Sequence, residues 1–388
     1  MDAQTKRKFA RARRLFPHTK KVAYFNSAST GPFCTPVATA IGKHLEFRLA
    51  AERDDSHAAF SKRAILRRDY AKLVGARADQ VGLGLNTSFG LNVAAFGLPM
   101  KRGEEILVSD VDFPASPYAF RAAAEARGLK LKFVKSRNHQ FDMGELDRAA
   151  TRKSRLLAVS WVQFHNGFKN NLKELSAFCK AHGMYFVVDG IQGMGVEPIN
   201  VRKLGIDVFT SGCQKWMLSP QGCGFFYVSD DVRDKMTPPF MSWLSVDWKM
   251  NFTDLLRYDL GYPDSAQKFE LGYYVVLNLF GMEAAVQLFK DIGIRNIQRH
   301  NYELINHLAD YIRSSPFYAI TSSMTPRHRS SIFTFTCDGA RELFDRLTKA
   351  KIITAFREGS IRVAVHLFND GSDIDRLVGV LERFASGR

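Results

Sequence analysis

Two residues in this chain have the types and the placement to do chemistry on an amino group: Asp189 and Lys215, 26 positions apart. Residues 185–189 read as an apolar strand ending in a carboxylate, and 206–210 read as a second buried strand shortly before the lysine. In a doubly wound sheet, ligands collect at the carboxyl ends of strands, where both residues fall. A carboxylate and a lysine at adjacent strand ends are what a pyridoxal phosphate site requires. The lysine forms an imine with the aldehyde, and the carboxylate keeps the pyridine nitrogen protonated so that the ring accepts electrons. A structural ion pair at a sheet edge would use the same two residues, so the pair alone leaves both readings open.

The elements that must position this pair follow from the pattern around it. Apolar runs at 105–108, 131–134, 156–162, 185–189, 206–210 and 224–228 alternate with helical periodicity at 118–127 and 172–182. Such alternation predicts an α/β fold, a mostly parallel sheet between helices, with strands apolar on both faces. Beyond residue 260 the pattern changes to long helices at 274–290 and 295–314, strands near 331–336 and 361–365, and a closing helix at 374–385. That is a smaller α+β unit. The expected division is a large domain over 15–270 and a small C-terminal domain over 271–388, with residues 1–20 packing on the latter. The aromatic and proline-rich stretch 238–262 reads as long surface loops near the junction.

Composition removes other classes. The chain has 388 residues, is 46% hydrophobic and 24% charged, and so has the make-up of a globular protein with a sizeable core. No apolar run approaches the roughly 20 residues of a membrane span. The five cysteines, Cys34, Cys179, Cys213, Cys223 and Cys337, are scattered without a C-x-x-C pair, which argues against a zinc site or disulfide framework and for a reducing, cytoplasmic setting. Gly82, Gly84 and Gly90 do not form G-x-G-x-x-G, Gly190, Gly193 and Gly195 give the reverse order, and no G-x-x-x-x-G-K-[ST] occurs. A nicotinamide dehydrogenase or nucleotide hydrolase would need one of these. The formal charge is +16, with a basic cluster at Lys6, Arg7, Lys8, Arg11, Arg13 and Arg14. Without a basic-aromatic repeat it reads as a solvated first helix rather than a nucleic-acid or membrane arm, and the excess favours anionic substrates or cofactors.

The segments Asp189-Gly190-Ile191-Gln192-Gly193, Ser211-Gly212-Cys213-Gln214-Lys215-Trp216 and Pro220-Gln221-Gly222-Cys223-Gly224 together resemble the class V aminotransferase family. This is the fold-type I pyridoxal phosphate group that includes cysteine desulfurases, selenocysteine lyases, kynureninases and isopenicillin N epimerases. Further matches are Tyr24-Phe25-Asn26-Ser27-Ala28-Ser29, Asn86-Thr87-Ser88-Phe89-Gly90, Val111-Asp112-Phe113-Pro114-Ala115, Phe269-Glu270-Leu271-Gly272 and 357–363, so the resemblance spans about residues 20–385.

The resemblance implies roles one residue at a time. Thr87 and Ser88 correspond to the phosphate loop, where a loop entering a helix offers N–H groups and hydroxyls; as bare sequence they also read as an N-cap. Phe113 stands where relatives place an aromatic residue or histidine over the cofactor ring, and it could equally be a core residue. Gln192 is expected near the ring's phenolic oxygen, and Gln214 replaces the usual histidine as an uncharged phosphate donor. His165 and Asn166 are alternative candidates for a polar contact to the cofactor. Arg362 corresponds to the arginine that grips the substrate α-carboxylate, with Arg357 a second candidate and Asn26 and Ser27 on the substrate side. Tyr273 replaces a threonine that in many relatives reaches the partner subunit's phosphate. Relatives build the site at a two-fold interface, so a homodimer is expected.

Several reactions share this cofactor, and the cysteines exclude one. Cysteine desulfurases carry a mobile nucleophilic cysteine on a loop shortly before the carboxylate-binding arginine. Here the last cysteine, Cys337, follows an apolar strand and none lies between it and the end. The expected activity is therefore an aminotransferase-type or C–S/β-lyase reaction on an α-amino acid, with Lys215 as the general acid/base. An epimerase of the isopenicillin N type is the alternative. From another class, a basic binding protein that kept the fold but lost catalysis is the rival reading.

Overall fold

The computed structural model describes residues 1–51, 56–249, 251, 253–272 and 276–387, leaving aside the side chains of Ser56 and His57. In chain order the first half contains α1 (Ala3–Arg14), β1 (Ala23–Tyr24), α2 (Thr35–Ala50), α3 (Ser56–Val74), β2 (Val81–Gly84), α4 (Thr87–Gly97), β3 (Glu105–Ser109), α5 (Ala115–Arg127) and β4 (Lys130–Val134). Then come β5 (Ser136–Arg137), β6 (Gln140–Phe141), α6 (Met143–Ala149), β7 (Ser154–Ser160), α7 (Leu172–Ala181), β8 (Tyr185–Asp189), β9 (Val208–Gly212) and β10 (Gly224–Val228). The rest is α8 (Asp230–Arg233), α9 (Val276–Ile292), α10 (Ile294–Ser314), β11 (Ala319–Ile320), β12 (Ile332–Thr336), α11 (Ala340–Lys349), β13 (Ile352–Ile353), β14 (Ala355–Arg357), β15 (Ser360–Ala364) and α12 (Gly371–Ser386).

Seven strands form the large sheet in the order β2-β10-β9-β8-β7-β3-β4. All neighbours are parallel except around β10, which runs antiparallel to both β2 and β9. Strands β3, β9 and β10 are buried along their length and β8 from Phe186 on, which is why their apolar residues follow one another rather than alternate. The α/β architecture expected from the sequence is the one present.

The small sheet, β11-β12-β15-β14, is antiparallel and obeys the opposite rule. Phe333, Phe335, Ile361 and Val363 point into a core shared with Ile305, Leu308, Leu343 and Leu377 of the flanking helices. The alternate positions, Thr334 and Arg362, are paired across the ladder and emerge on the other face. That face carries the arginine toward the large domain.

The core does not divide at residue 271. Leu279, Met282, Val286 and Phe289 of α9 pack with Leu83, Phe209 and Phe225 of the large sheet, so α9 shares the large domain's core. A helix with apolar residues on this spacing reads the same whichever sheet it covers. The start of the chain is tied to the small domain. Strand β1 pairs in parallel with β13, and Asn26 bridges Ala364. Helix α1, capped by Asp2 on Thr5 N, stacks Phe9 on His300, and Arg13 forms an ion pair with Asp373 at 2.7 Å. The stretch 238–262 contains no helix or strand among its described residues.

Candidate active site

Three strand ends and one helix start converge. Asp189 closes β8, where burial drives its carboxyl up to about 6 while the Ile191 N–H, at 3.0 Å, and the Lys215 charge pull it down. Lys215 follows β9 by three residues and is half-buried, its ammonium pushed down to about 8, chiefly by burial and further by Arg362 and Arg357. The charge of Asp189 opposes that shift. Behind Asp189 stands Asp112, also buried, whose two oxygens accept from Ser160 N at 3.2 and 3.1 Å. Burial, then the charges of Asp189 and Asp110, raise its carboxyl to about 7.

Helix α4 begins beside this pair. Asn86 caps it by accepting from Phe89 N at 2.9 Å, which leaves the first N–H groups, those of Thr87 and Ser88, outside the helix's own bonding. The Thr87 hydroxyl accepts from Gly212 N at 2.8 Å and so fixes the helix start to β9. Gly90 lets the two elements close up, since a Cβ there would lie 2.2 Å from Thr210 Oγ1. Gln214 Oε1 is buried without a partner, and a Cβ on Gly212 would meet it at 2.4 Å and Thr87 Oγ1 at 3.2 Å. A helix N-terminus with unbonded N–H groups and hydroxyls is a place for an anion.

Phe113 is 44% exposed, with its ring centroid 5.3 Å from Lys215 Nζ and edge-on to Phe164 at 5.2 Å. It is therefore a wall over the lysine, not a core residue. From the small sheet, Arg362 is buried with Nη1 donating to Phe164 O at 2.6 Å and Nη2 donating to Ser29 Oγ at 2.6 Å and Asn26 Oδ1 at 3.3 Å. Its Nε is buried and unpartnered. The loop that carries Asn26 and Ser29 continues to Gly31, whose N–H donates to Gln214 O at 2.8 Å. No side chain fits at Gly31, because a Cβ would lie 2.1 Å from Lys215 O.

Three of the expected site residues are held or enclosed by the protein itself. Gln192 is engaged at both ends by protein: Oε1 accepts from Trp216 Nε1 at 2.8 Å, and Nε2 donates to Ala28 O at 3.1 Å. It braces the residue after Lys215. Asn166 likewise serves its own turn, donating to His139 O and accepting from Phe168 N, as the positive φ of 73° at Gly167 requires a tight bend there. Ser27 is buried with an unpartnered Oγ, and Ser29, not Ser27, meets Arg362. His165 keeps a buried, unpartnered Nε2 near the site, and burial holds its imidazole below the ordinary range. Tyr273 lies outside the described residues. Ser29 and Phe164 were not singled out: Ser29 closes the segment 24–29 that carries the resemblance, but only the fold shows that its hydroxyl and the Phe164 carbonyl meet Arg362.

The profile of the family described as aminotransferase class-V matches residues 23–377. The chain belongs to that family. Members use pyridoxal phosphate, and this member is an enzyme of that cofactor. The uncharacterized aminotransferase YcbU of Bacillus subtilis (strain 168) is 24% identical over 359 residues, covering 92% of this chain and 93% of the relative. A probable cysteine desulfurase of Pyrococcus abyssi is 25% identical over 399 residues, covering 95% and 96%. Among solved structures, the cysteine desulfurase of Thermococcus onnurineus NA1 superposes with a TM-score of 0.85 at 23% identity, covering 97% of this chain and 98% of that one. A cystine C–S lyase bound to its product, cysteine persulfide, also gives 0.85, at 22% identity and with 94% and 98% covered. Both structures share the fold-type I architecture of this chain. Among the described residues no helix is long and apolar enough to cross a membrane, and no group of metal-ligating side chains is present.

Proposed function

We propose that this class V aminotransferase acts on an α-amino acid through Lys215, by transamination or by C–S/β-elimination, without a cysteine that relays sulfur. The observation that carries the reading is the half-buried Lys215, three residues past β9 with its Nζ 5.3 Å from the Phe113 ring, which feels the charges of Asp189 at the end of β8 and of Arg362.

The residues fit the cofactor. Lys215 would hold the cofactor covalently, Asp189 would face its pyridine nitrogen, Phe113 would stack on it, and the α4 start with Thr87, Ser88 and Gln214 would cradle its phosphate. The buried, unpartnered Gln214 amide beside Thr87 supports the last of these, because turning it about its final bond presents a donor. Bound there, pyridoxal phosphate supplies an electron sink for the bonds at the substrate Cα. Arg362 holds the substrate carboxylate and thereby selects which Cα bond faces the wall. Burial makes Lys215 a base near neutral pH, suited to moving the proton at Cα once the substrate amine has taken its place.

The absence of a relay is supported by the turn before Arg362. Strands β14 and β15 pair Arg357 with Ser360, so the chain reverses through Glu358 and Gly359 alone. Two residues leave no loop there to carry a mobile cysteine. Cys337 instead lies beyond β12 and packs against the small-domain core. The relative named as a C–S lyase supports the elimination branch, and the one named as an aminotransferase supports the other. The same reading takes the protein as a homodimer with its site at the interface, which light scattering checks.

The test is the near-visible absorbance of the protein with pyridoxal phosphate, before and after each common amino acid. A band absent from Lys215→Ala and shifted by particular amino acids supports the reading, and the products name the reaction. A colourless protein with the cofactor supplied overturns it. Loss of turnover in Cys337→Ser overturns the relay-free part alone.

A further inference from the structure

We propose that the substrate of this site carries a second acidic group, received by Arg357, so that the enzyme takes an α-amino acid with a side-chain carboxylate. This rests on the amino-acid reading above.

The small sheet decides where Arg357 points. Its apolar face, with Phe333, Phe335, Ile361 and Val363, is committed to the core. The ladder sets Ala355 opposite Arg362 and Arg357 opposite Ser360. Directly opposed residues of an antiparallel pair share a face, so Arg357 leaves from the face that carries Arg362. The turn fixes that register: Glu358 and Gly359 have φ of 45° and 74°, the left-handed pair of a two-residue hairpin. A slip of one residue would move Arg357 to the core side. Arg357 and Arg362 are diagonal neighbours, a spacing of roughly 7–8 Å at the level of the backbone. Long side chains close that distance, and one small dicarboxylic molecule can span it.

The other polar groups of this face are already used. Thr321 Oγ1 donates to Thr334 Oγ1 at 2.7 Å and lies 3.1 Å from Ser360 Oγ. Arg362 is buried and held by Phe164, Ser29 and Asn26, a fixed clamp. Arg357 is exposed, with one hydrogen bond, Nη1 to Phe356 O at 2.8 Å, and among the described residues no carboxylate stands at ion-pair distance from it. Its charge nevertheless reaches both Arg362 and Lys215, lowering each. Lys215 thus feels the charges of Asp189, Arg362 and Arg357 together, while the other nearby carboxyls are Asp112, buried beside Asp189, and Glu358, which acts on His165. An α-carboxylate answers Arg362, and a second anion on the same molecule answers Arg357. Guanidinium suits a planar carboxylate, which it can bind through two parallel bonds.

The experiment compares isosteres. The pyridoxal phosphate-loaded protein is titrated with L-aspartate and L-glutamate against L-asparagine and L-glutamine, followed by calorimetry and by the shift of the cofactor band. The acids are expected to bind about tenfold more tightly than their amides, the size of one charged hydrogen-bonding pair. That preference should shrink with added salt, fall to about onefold in Arg357→Gln, and invert in Arg357→Glu. Equal affinity for acid and amide, or a preference that survives Arg357→Gln, overturns the inference while leaving the amino-acid reading intact. Binding of neither acids, amides nor any other amino acid overturns both. Circular dichroism and the intact cofactor band of the Arg357 variants show that they fold.

Discussion

The indole N–H of Trp216 donates to Gln192 Oε1 at 2.8 Å, and the same amide reaches Ala28 O, so one side chain ties the residue after Lys215 to the loop that carries Ser29. All three groups are buried. Gln192→Leu is nearly isosteric but leaves the indole N–H and the Ala28 carbonyl unpaired. Each buried orphan costs about 1–3 kcal/mol. Denaturant unfolding should show a loss of about 2–6 kcal/mol for the two together, and turnover should fall as Lys215 loses its brace. A variant as stable as the parent would mean that water replaces the amide.

From the other side, His366 Nε2 donates to Trp216 O at 2.7 Å, and Nδ1 accepts from Leu367 N at 2.7 Å. The ring is fully buried, and burial drives its imidazolium down to about 4. The folded protein therefore refuses a proton that the unfolded chain accepts near 6.5. Stability should be flat above that pH, fall as pH drops from 6.5 toward 4, and level off below. The total is of the order of 3 kcal/mol from this residue. His366→Asn should flatten that part of the profile, read as melting temperature against pH.

The main features of the fold were legible because burial writes directly into sequence. Strands covered on both faces are unbroken apolar runs, and Asp189 and Lys215 stand at the ends of two of them. Arg362 was legible only through the resemblance of 357–363 to the family, since a charge alternating with Ile361 and Val363 reads equally as an exposed strand arginine. The protein surroundings of Gln192, Asn166 and Ser27 were not legible, because an amide or a hydroxyl carries no record of its partner. Only the folded chain shows that Trp216 and Ala28 claim one amide, and His139 and Phe168 the other. Helix α9 was placed with the wrong core since its periodicity says which face is buried and not against what.

Glu270 is buried among Arg63, Arg67 and the N–H of Leu83, with Arg67 Nε at 2.8 Å and Leu83 N at 2.9 Å. It joins α3 and β2 to the segment before α9. Its carboxyl is held below the ordinary range, the two arginines outweighing the burial that would raise it. Glu270→Ala strands two guanidinium groups and should cost about 3–5 kcal/mol. A carboxylate with a lowered pKa contributes fully above the unfolded value near 4.3, and the contribution disappears as pH falls through the folded one. Acid unfolding should thus begin at a higher pH in Glu270→Gln than in the parent, as monitored by tryptophan fluorescence.

Lys215 sets the pH at which the protein takes up its cofactor. Burial leads in lowering its ammonium to about 8, Arg362 and Arg357 add to the effect, and Asp189 resists it. Only the neutral amine attacks an aldehyde, so uptake of pyridoxal phosphate by cofactor-free protein should speed up as pH rises through about 8 and level off above. Surface lysines, near 10.4, would still be rising there. Asp189→Asn removes the charge that holds the proton on, and the midpoint should move down. Arg357→Gln removes a charge that drives it off, and the midpoint should move up, by less than one pH unit for an exposed group. Stopped-flow absorbance across pH 6–10 reads all three midpoints. Opposite shifts in the two variants are the expected outcome; a common midpoint near 10 would mean that the amine is solvated and the burial of the site is not felt at Nζ.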